Sequence, residues 1–390
     1  MYKNILNTGV QDFILNNLSA DILSVSLKKS PFDAVSSSQL AQQLKGHQTL
    51  KSKVPSWYGK RNLILPPSLN LEQTSSEITA RYKAGLVAGN TLMDLTGGLG
   101  VDAYFLSKNF AQVYHCEQDE SLSRIAANNF VALGASHIQA IHANGLDVLK
   151  GFPEKPLDWV YADPSRRNAQ REKVIRLEDY EPNILEHDEL IRSSSRNFLL
   201  KTSPMLDISE GIRQLSNLRE IHMVAVNNEM RELLWWLQPG SQAPVRHIAV
   251  NITADTTERF EFTEEELQEA GVATGMPENY LYEPNVALMK SGAFALIGQR
   301  YGLRKLHQHT HLYTSGVLLD FPGRRFRVEQ VKPYKPGKLG VSKANISIRN
   351  FPETVARIRK RNKIADGGDR YLFFVRLVDD SLAVLFTSKA

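Results

Sequence analysis

Apolar positions change their spacing along the chain. Over residues 1–75 they recur at helical intervals, as in Val10, Phe13, Ile14 and Leu18. A serine-rich stretch, Ser36 to Ser38, is placed to cap a helix SSQLAQQL. Prolines in Leu63-Ile64-Leu65-Pro66-Pro67 break that pattern, and EQTSSEITARYKAGLV reads as a helix with a polar face. From residue 91 short apolar runs alternate with helical stretches: TLMDL, QVYHC, IQAIH, LDWVYA, NFLL, REIHMVAV and VRHIAVNI. Leu122, Ile125, Ala126, Phe130 and Leu133 mark one intervening helix, closed by Gly134. Seven runs with helices between them predict a doubly wound α/β domain on a parallel sheet. Turn formers in GVATGMPENYLYEPN end it. Beyond lie a short α+β segment, a basic strand in FPGRRFRVEQV, the loop KPYKPGKLG, a helix PETVARIRKRNKI and a hairpin YLFFVRLVDDSLAVLF that turns at Asp379-Asp380. The expected domains are therefore 1–75, 76–275 and 276–390.

Composition narrows the class. The 390 residues contain no apolar run near the ~18 that a membrane span needs. A single cysteine, Cys116, excludes a disulfide within the chain and any zinc module built on paired cysteines. The segment MYKNILNTGVQDFILNN has neither the basic start nor the unbroken apolar core of a signal peptide, so a cytoplasmic location is expected. Net charge is +5, and it is unevenly spread. Residues 281–390 hold 20 Lys+Arg against 8 Asp+Glu, and the remainder holds 27 against 34. A basic end of this kind suits a polyanion such as nucleic acid, while the acidic remainder is left for chemistry.

The first strand of the α/β region runs into Asp94-Leu95-Thr96-Gly97-Gly98-Leu99-Gly100 and then a helix. Glycines there let the backbone turn tightly and approach a nucleotide. Nineteen residues after Gly98 stands Glu117, placed to accept hydrogen bonds from ribose hydroxyls. Gly98 to Ala103 also satisfies the GxGxxG/A dinucleotide pattern, which keeps NAD in view. Against NAD, a carboxylate at Asp94 is awkward beside a pyrophosphate but suits an ammonium. The fourth strand also ends in Asp163-Pro164-Ser165-Arg166-Arg167, for which hydride transfer has no evident use.

The order MDLTGGLG, CEQD, HANGLDVL, DWVYADPSRR resembles the first four motifs of the class I S-adenosylmethionine-dependent methyltransferases. More narrowly, LEQTSSEITARYKA, ADPSRR, LLKTSP, LYEPNVALMKSG and RNFP resemble bacterial methyltransferases with a THUMP-like C-terminal domain. The resemblance covers most of the chain after about residue 63 and leaves the N-terminal helical region unexplained. It implies a seven-stranded Rossmann-like cofactor sheet, then a ferredoxin-like piece and a THUMP-like piece that would hold RNA. It also implies S-adenosyl-L-methionine as cofactor. Asp94, Thr96, Gly97, Gly98 and Gly100 would line its methionine and backbone side, Glu117 would hold the ribose, and Asn144 would accept from the adenine amine. At the substrate end Asp163 and the Pro164 carbonyl would orient the nucleophile. Arg166 stands where amino methyltransferases of nucleic acids commonly carry a stacking aromatic ring, and its guanidinium would stack on a base or grip a phosphate. The same tetrad is similar to the DPPR of C5-uracil enzymes, but these need a cysteine nucleophile, and Cys116 ends the second strand beside the expected ribose site.

Three readings of the activity stay open. The first is methylation of a base nitrogen in RNA. In the second, Lys83, Asp163, Lys201 and Glu229 resemble in order the Lys-Asp-Lys-Glu set of 2′-O-ribose methyltransferases, in which a neutral lysine or a carboxylate helps a hydroxyl attack. The third is a non-catalytic RNA-binding protein that keeps a cofactor pocket. Two further clusters are candidates. His307, His309 and His311 would share one face of a strand, yet no acidic or thiol partner lies near in sequence, so no metal is expected. Lys332, Lys335 and Lys338 with Tyr334 would form a basic loop suited to phosphate and base contacts.

Overall fold

In the computed structural model, which describes residues 3–166, 176–337 and 339–390, the chain forms two units. One comprises residues 1–220 and 231–243, the other 221–230 and 244–390. The first begins with helices α1 (Thr8–Asn16), α2 (Ile22–Leu27), α3 (Ser37–Lys53), α4 (Ser68–Gln73) and α5 (Glu77–Ala84). As expected, Ser36 starts α3, through a capping box with Gln39. The stretch EQTSSEITARYKA is two helices, because the Ser76 hydroxyl caps Thr79 N–H and starts α5 afresh. Ile5, Val10, Ile14, Val35, Leu40 and Leu44 form one apolar cluster.

The α/β part of this unit runs β1 (Gly89–Asp94), α6 (Val101–Leu106), β2 (Phe110–Glu117), α7 (Glu120–Ala132), β3 (Ile138–His142), α8 (Gly145–Gly151), β4 (Trp159–Ala162), the two-residue strands β5 (Ser165–Arg166) and β6 (Tyr180–Glu181), α9 (Asp188–Ser194), β7 (Phe198–Thr202) and α10 (Ile208–Gln214). Strands β8 (Leu218–Val226) and β9 (Glu229–Leu237) follow. Neighbours run in the order β9-β7-β4-β1-β2-β3. All of these pair in parallel except β9, which lies antiparallel to β7 with Phe198 opposite Leu237. The seven expected runs all become strands, and β9 and β11 (Thr257–Thr263) are additional. The apolar run LLWWL of β9 carries no helix-or-strand periodicity of its own, which is why pattern alone passed over it.

The N-terminal helices share a core with the glycine-turn helix: Leu50, Val54, Trp57, Leu63 and Leu65 pack with Leu99, Val101, Phe105 and Ile125. Polar stitching reinforces it. Gln43 donates to the Leu65 carbonyl and accepts from its N–H, both at 2.9 Å. Asn129 of α7, fully buried, does the same for Ile64 at 2.9 Å each way. These amides satisfy a Pro-bounded stretch that no strand pairs.

In the second unit β8 neighbours β10 (Arg246–Ile252), which pairs antiparallel with β11. Then come α11 (Glu264–Glu269), β12 (Tyr280–Pro284), α12 (Val286–Ser291), α13 (Phe294–Arg300), β13 (Arg304–His307), β14 (Thr310–Ser315), β15 (Gly323–Pro333), β16 (Asn345–Arg349), α14 (Val355–Asn362), β17 (Tyr371–Arg376) and β18 (Leu382–Lys389). The last seven strands make one sheet, β13-β14-β12-β15-β18-β17-β16. Two expectations are corrected here. The three histidines do not alternate along a strand: His307 ends β13, His309 lies in the turn, and His311, on β14, stacks on Phe294. No group of His, Cys, Asp or Glu among the described residues could hold a metal ion. Tyr334 does not offer its ring to a base, because the ring packs on Phe351 and Phe374 and the hydroxyl donates to Glu353 at 3.0 Å. Lys335 is exposed, and Lys338 lies outside the described residues. No helix among the described residues is long and apolar enough to cross a membrane.

Asn129→Ala would leave the Ile64 N–H and C=O unpaired in a dry core. A loss of about 1–3 kcal/mol in urea unfolding is expected, whereas a change below a few tenths would mean that water replaces the amide.

Candidate active site

Strand order reverses at β1, whose neighbours are β2 on one side and β4 on the other. In open α/β sheets the crevice outside the carboxyl ends of the strands at such a point receives ligands. A cavity of about 450 Å³ lies there, lined by the Asp94–Asp102 turn, Cys116, Glu117 and Gln118 at the end of β2, Tyr161, Asp163, Pro164 and Ser165 at the end of β4 and beyond, and Lys201 of β7.

The turn is built by its glycines. Gly97 N–H donates to the Cys116 carbonyl at 2.8 Å, and a Cβ on Gly97 would sit 2.4 Å from the His115 ring. Gly100 has φ +83° and lies against Phe130, where a Cβ would clash at 2.4 Å. Gly98, with φ +58°, faces open space instead. Its N–H donates to Glu117 Oε2 at 2.7 Å, while Asp119 N–H reaches Oε1 at 2.8 Å. Two backbone donors thus fix the Glu117 carboxylate and still leave each oxygen a lone pair for a hydroxyl.

Asp94 is buried and accepts from Thr96 N–H at 3.0 Å. Burial, reinforced by the carboxylates of Asp102, Asp163 and Glu117, pushes its carboxyl up to about 8. His115, enclosed behind the turn, is driven down to about 4 by burial and is a neutral packing ring. Burial likewise pushes the Cys116 thiol up to about 12, so it supplies no thiolate.

At the other end, Thr96 turns its hydroxyl to accept the Asp163 N–H at 2.7 Å, tying the first turn to the fourth strand. Lys201 Nζ lies 2.5 Å from Asp163 Oδ2. Burial works to lower Lys201, but Asp163, with Glu232 and Asp102 farther off, outweighs it and holds the ammonium well above the usual lysine range. Pro164 and Ser165 continue the wall.

Behind the cavity stands a charge cluster that motif reading did not reveal. Lys83 of α5 has no exposed surface. Its Nζ lies 3.0 Å from Glu232 Oε2, 3.1 Å from Asp102 Oδ1 and 3.0 Å from Ser75 Oγ. Asp102 Oδ2 accepts from both Ser75 Oγ and Tyr161 Oη at 2.7 Å. Burial pushes the Asp102 carboxyl upward, but Lys83, then Lys201 and the two hydroxyls, bring it below the ordinary aspartate value. The partner of Lys83 is Glu232, three residues beyond Glu229, which lies in the second unit. The available signal was an ionisable residue opening an otherwise apolar run, ELLWWL.

Asp94, Thr96, Gly97, Gly98, Gly100, Glu117, Asp163, Pro164 and Lys201 therefore line one cavity. Asn144 does not: its Oδ1 caps α8, accepting from Leu146 N–H at 2.9 Å. The backbone of Arg166 pairs with Tyr180 in β5, and its side chain lies outside what the structure describes. The acceptor-rich wall suits a ligand with an ammonium and vicinal hydroxyls, as S-adenosylmethionine has. The carboxylates of Glu117 and Asp163 on this wall disfavour the phosphates of NAD.

Comparison with known proteins agrees. Residues 280–322 match the family of ferredoxin-like domains, and residues 323–389 match the THUMP domain-like family. The crystal structure of a "putative methyltransferase" from Porphyromonas gingivalis W83 is 30% identical, with a TM-score of 0.86 over 100% of this chain and 98% of that one. An uncharacterized S-adenosylmethionine-dependent methyltransferase of Mycobacterium tuberculosis, from strains CDC 1551 / Oshkosh and H37Rv, is 26% identical over 258 residues. The match covers 66% of this chain and 67% of the mycobacterial protein.

Removing Lys83 strands two carboxylates away from water. Lys83→Met is expected to cost about 3–5 kcal/mol in chemical denaturation, and adding Glu232→Leu should recover part of it. A single variant as stable as the parent would show that the carboxylates do not depend on this lysine.

Proposed function

Starting from the fact that this chain belongs to the S-adenosylmethionine-dependent methyltransferases, with ferredoxin-like and THUMP-like modules at its carboxyl end, we propose that it methylates RNA on a base nitrogen. The observation that carries the choice of nucleophile is the Asp163–Lys201 pair in the cavity. Bound S-adenosylmethionine supplies an electrophilic methyl group on a sulfonium sulfur. Asp94 would hold its ammonium and Glu117 its ribose hydroxyls.

The rest of the work falls to the chain. Asp163 spends Oδ2 on Lys201, and Oδ1 remains to accept an N–H from the target amine. The Pro164 carbonyl is a second acceptor on the same wall. Two acceptors on one amine turn its lone pair toward the methyl, so catalysis comes chiefly from orientation. A ribose hydroxyl needs a base, and Lys201, bound to Asp163, is held protonated and cannot act as one. Lys83, the other lysine of the 2′-O reading, has no surface in contact with the cavity. RNA binding is assigned to the basic residues 281–390. There Lys360 and Lys363, in and after α14, are exposed, and most of β15 faces solvent. Contacts from such a surface to phosphates fix RNA without reading sequence.

Nucleoside mass spectrometry of RNA treated with the protein tests the reading. The added methyl should stay on the base fragment after the glycosidic bond breaks. Asp163→Ala should lower turnover by roughly 10²–10⁴-fold, the range for a group that handles protons at the reacting atom, and Lys201→Met should cost about tenfold or less. A methyl on the ribose fragment, with both variants equally inactive, would transfer the assignment to 2′-O chemistry.

A second outcome concerns pH. Asp94, pushed up to about 8, is protonated at neutral pH in the free protein. Pairing with an ammonium requires the carboxylate, so binding releases a proton and tightens as pH rises toward 8. Calorimetry with S-adenosylhomocysteine should show about tenfold or more gain in affinity between pH 6 and 8, and Asp94→Asn should flatten that dependence. Equal affinity at both values in the parent protein would remove Asp94 from the ammonium site.

A further inference from the structure

The N-terminal region reaches the cavity through one short run. Asn70, Gln73, Thr74 and Ser75, at the end of α4 and in the link to α5, line the same space as Asp163 and Lys201. This run is anchored on both sides. Ser75 is bound to Asp102 and Lys83, Thr74 Oγ1 donates to the Leu71 carbonyl at 2.9 Å, and Leu71 is buried in the core beneath. Lys53 of α3 donates to the Glu72 carbonyl.

Asn70 and Gln73 stand three residues apart and so share one face of α4, while Leu71 points into the core. Among the described residues neither amide makes a side-chain hydrogen bond of its own. The cavity's other polar side chains include hydroxyls, such as those of Thr96 and Ser165, and the charged groups of Asp163, Glu181 and Lys201. A primary amide offers a donor and an acceptor side by side, the pattern that matches the edge of a nucleobase.

We propose that Asn70 and Gln73 are specificity-determining residues that read the edge of the target base, so that the N-terminal helical region supplies the base-selecting wall of the site. Because Asp163 and Pro164 take both hydrogens of the target amine, the base class that fits is one with a ring acceptor beside that amine, as adenine and cytosine have. The proposal rests on RNA base methylation as the reaction. Ser75 fixes the run to a buried ion cluster, so the two amides project from a set stretch of backbone.

The test uses the isosteric pair Asn70→Asp and Gln73→Glu in the full chain, which keeps shape and removes the donors, with Asn70→Ala and Gln73→Ala beside them. S-adenosylhomocysteine affinity is measured by calorimetry and methylated nucleosides by mass spectrometry. Unchanged affinity is expected, with kcat/KM on RNA lower by on the order of 10- to 100-fold, the discrimination one bidentate amide contact supplies, and relaxed preference among bases. An equal loss of S-adenosylhomocysteine affinity would assign the amides to the cofactor and overturn the proposal, as would variants with the parent's turnover and base preference. If the parent protein methylates no base at all, the RNA base-methylation reading falls and takes the proposal with it.

Discussion

A lysine with no exposed surface dictates much of the architecture around the cavity. Lys83 cannot be buried without counter-charges, and the two it has, Asp102 and Glu232, come from the start of α6 and from β9. Tyr161 at the end of β4 and Ser75 ahead of α5 complete the shell through Asp102. Helix α5, helix α6 and two strands of the sheet are therefore held in one relation by one ammonium. Moving any of them by an ångström would leave a buried charge without its partner. The cluster adds little net stability over a well-packed apolar alternative, so its value is that it fixes geometry where four chain segments meet.

That fixed frame explains the chemistry of the space in front of it. Asp94, Glu117 and Asp163 converge on the carboxyl ends of β1, β2 and β4, and each meets a different answer to its charge. Backbone N–H groups hold Glu117, Lys201 holds Asp163, and Asp94 has, among the described residues, only the Thr96 N–H and hydroxyl, so burial leaves it protonated at neutral pH. In the free protein this raised carboxyl stabilises the fold fully only below the ordinary aspartate value, and the contribution is lost as pH rises through about 8. An ammonium beside Asp94 relieves the same strain. The free protein thus carries a destabilised group whose relief is available to binding.

Much of this was legible in the sequence because the relevant signals are local. The glycine turn, Glu117 at its fixed distance and Asp163-Pro164 after an apolar run all lie at strand ends, where topology brings them together. What escaped was set by pairing between distant segments. Glu232 went unnamed while Glu229 was singled out, because only the pairing of β9 beside β7 brings Glu232 to Lys83. Asn144 fitted a motif position, but a helix begins there and its side chain is taken by the cap. Tyr334 sat among lysines and read as a surface ring, although aromatic neighbours 17 and 40 residues on, Phe351 and Phe374, pack against it and leave it half-buried. Local spacing cannot show such partners.

The carboxyl-terminal modules make the same point about boundaries. Two families meet at residues 322 and 323, yet the seam is not an edge of the fold. Strand β12 of the ferredoxin-like part pairs with β15 of the THUMP-like part from Tyr280 opposite Arg327 to Pro284 opposite Gly323. Glu283, almost fully buried on β12, accepts from Arg324 Nε at 2.6 Å and from Arg349 Nη2 at 2.7 Å, both from the other module. Gly323 follows from the same pairing, since a Cβ there would lie 2.2 Å from the Glu283 carbonyl. Separating the modules would leave an unpaired buried carboxylate and two open strand edges, and nothing in either module alone would offset those costs. The two modules are therefore parts of a single continuous sheet, and β15, with its basic residues, is the strand that joins them.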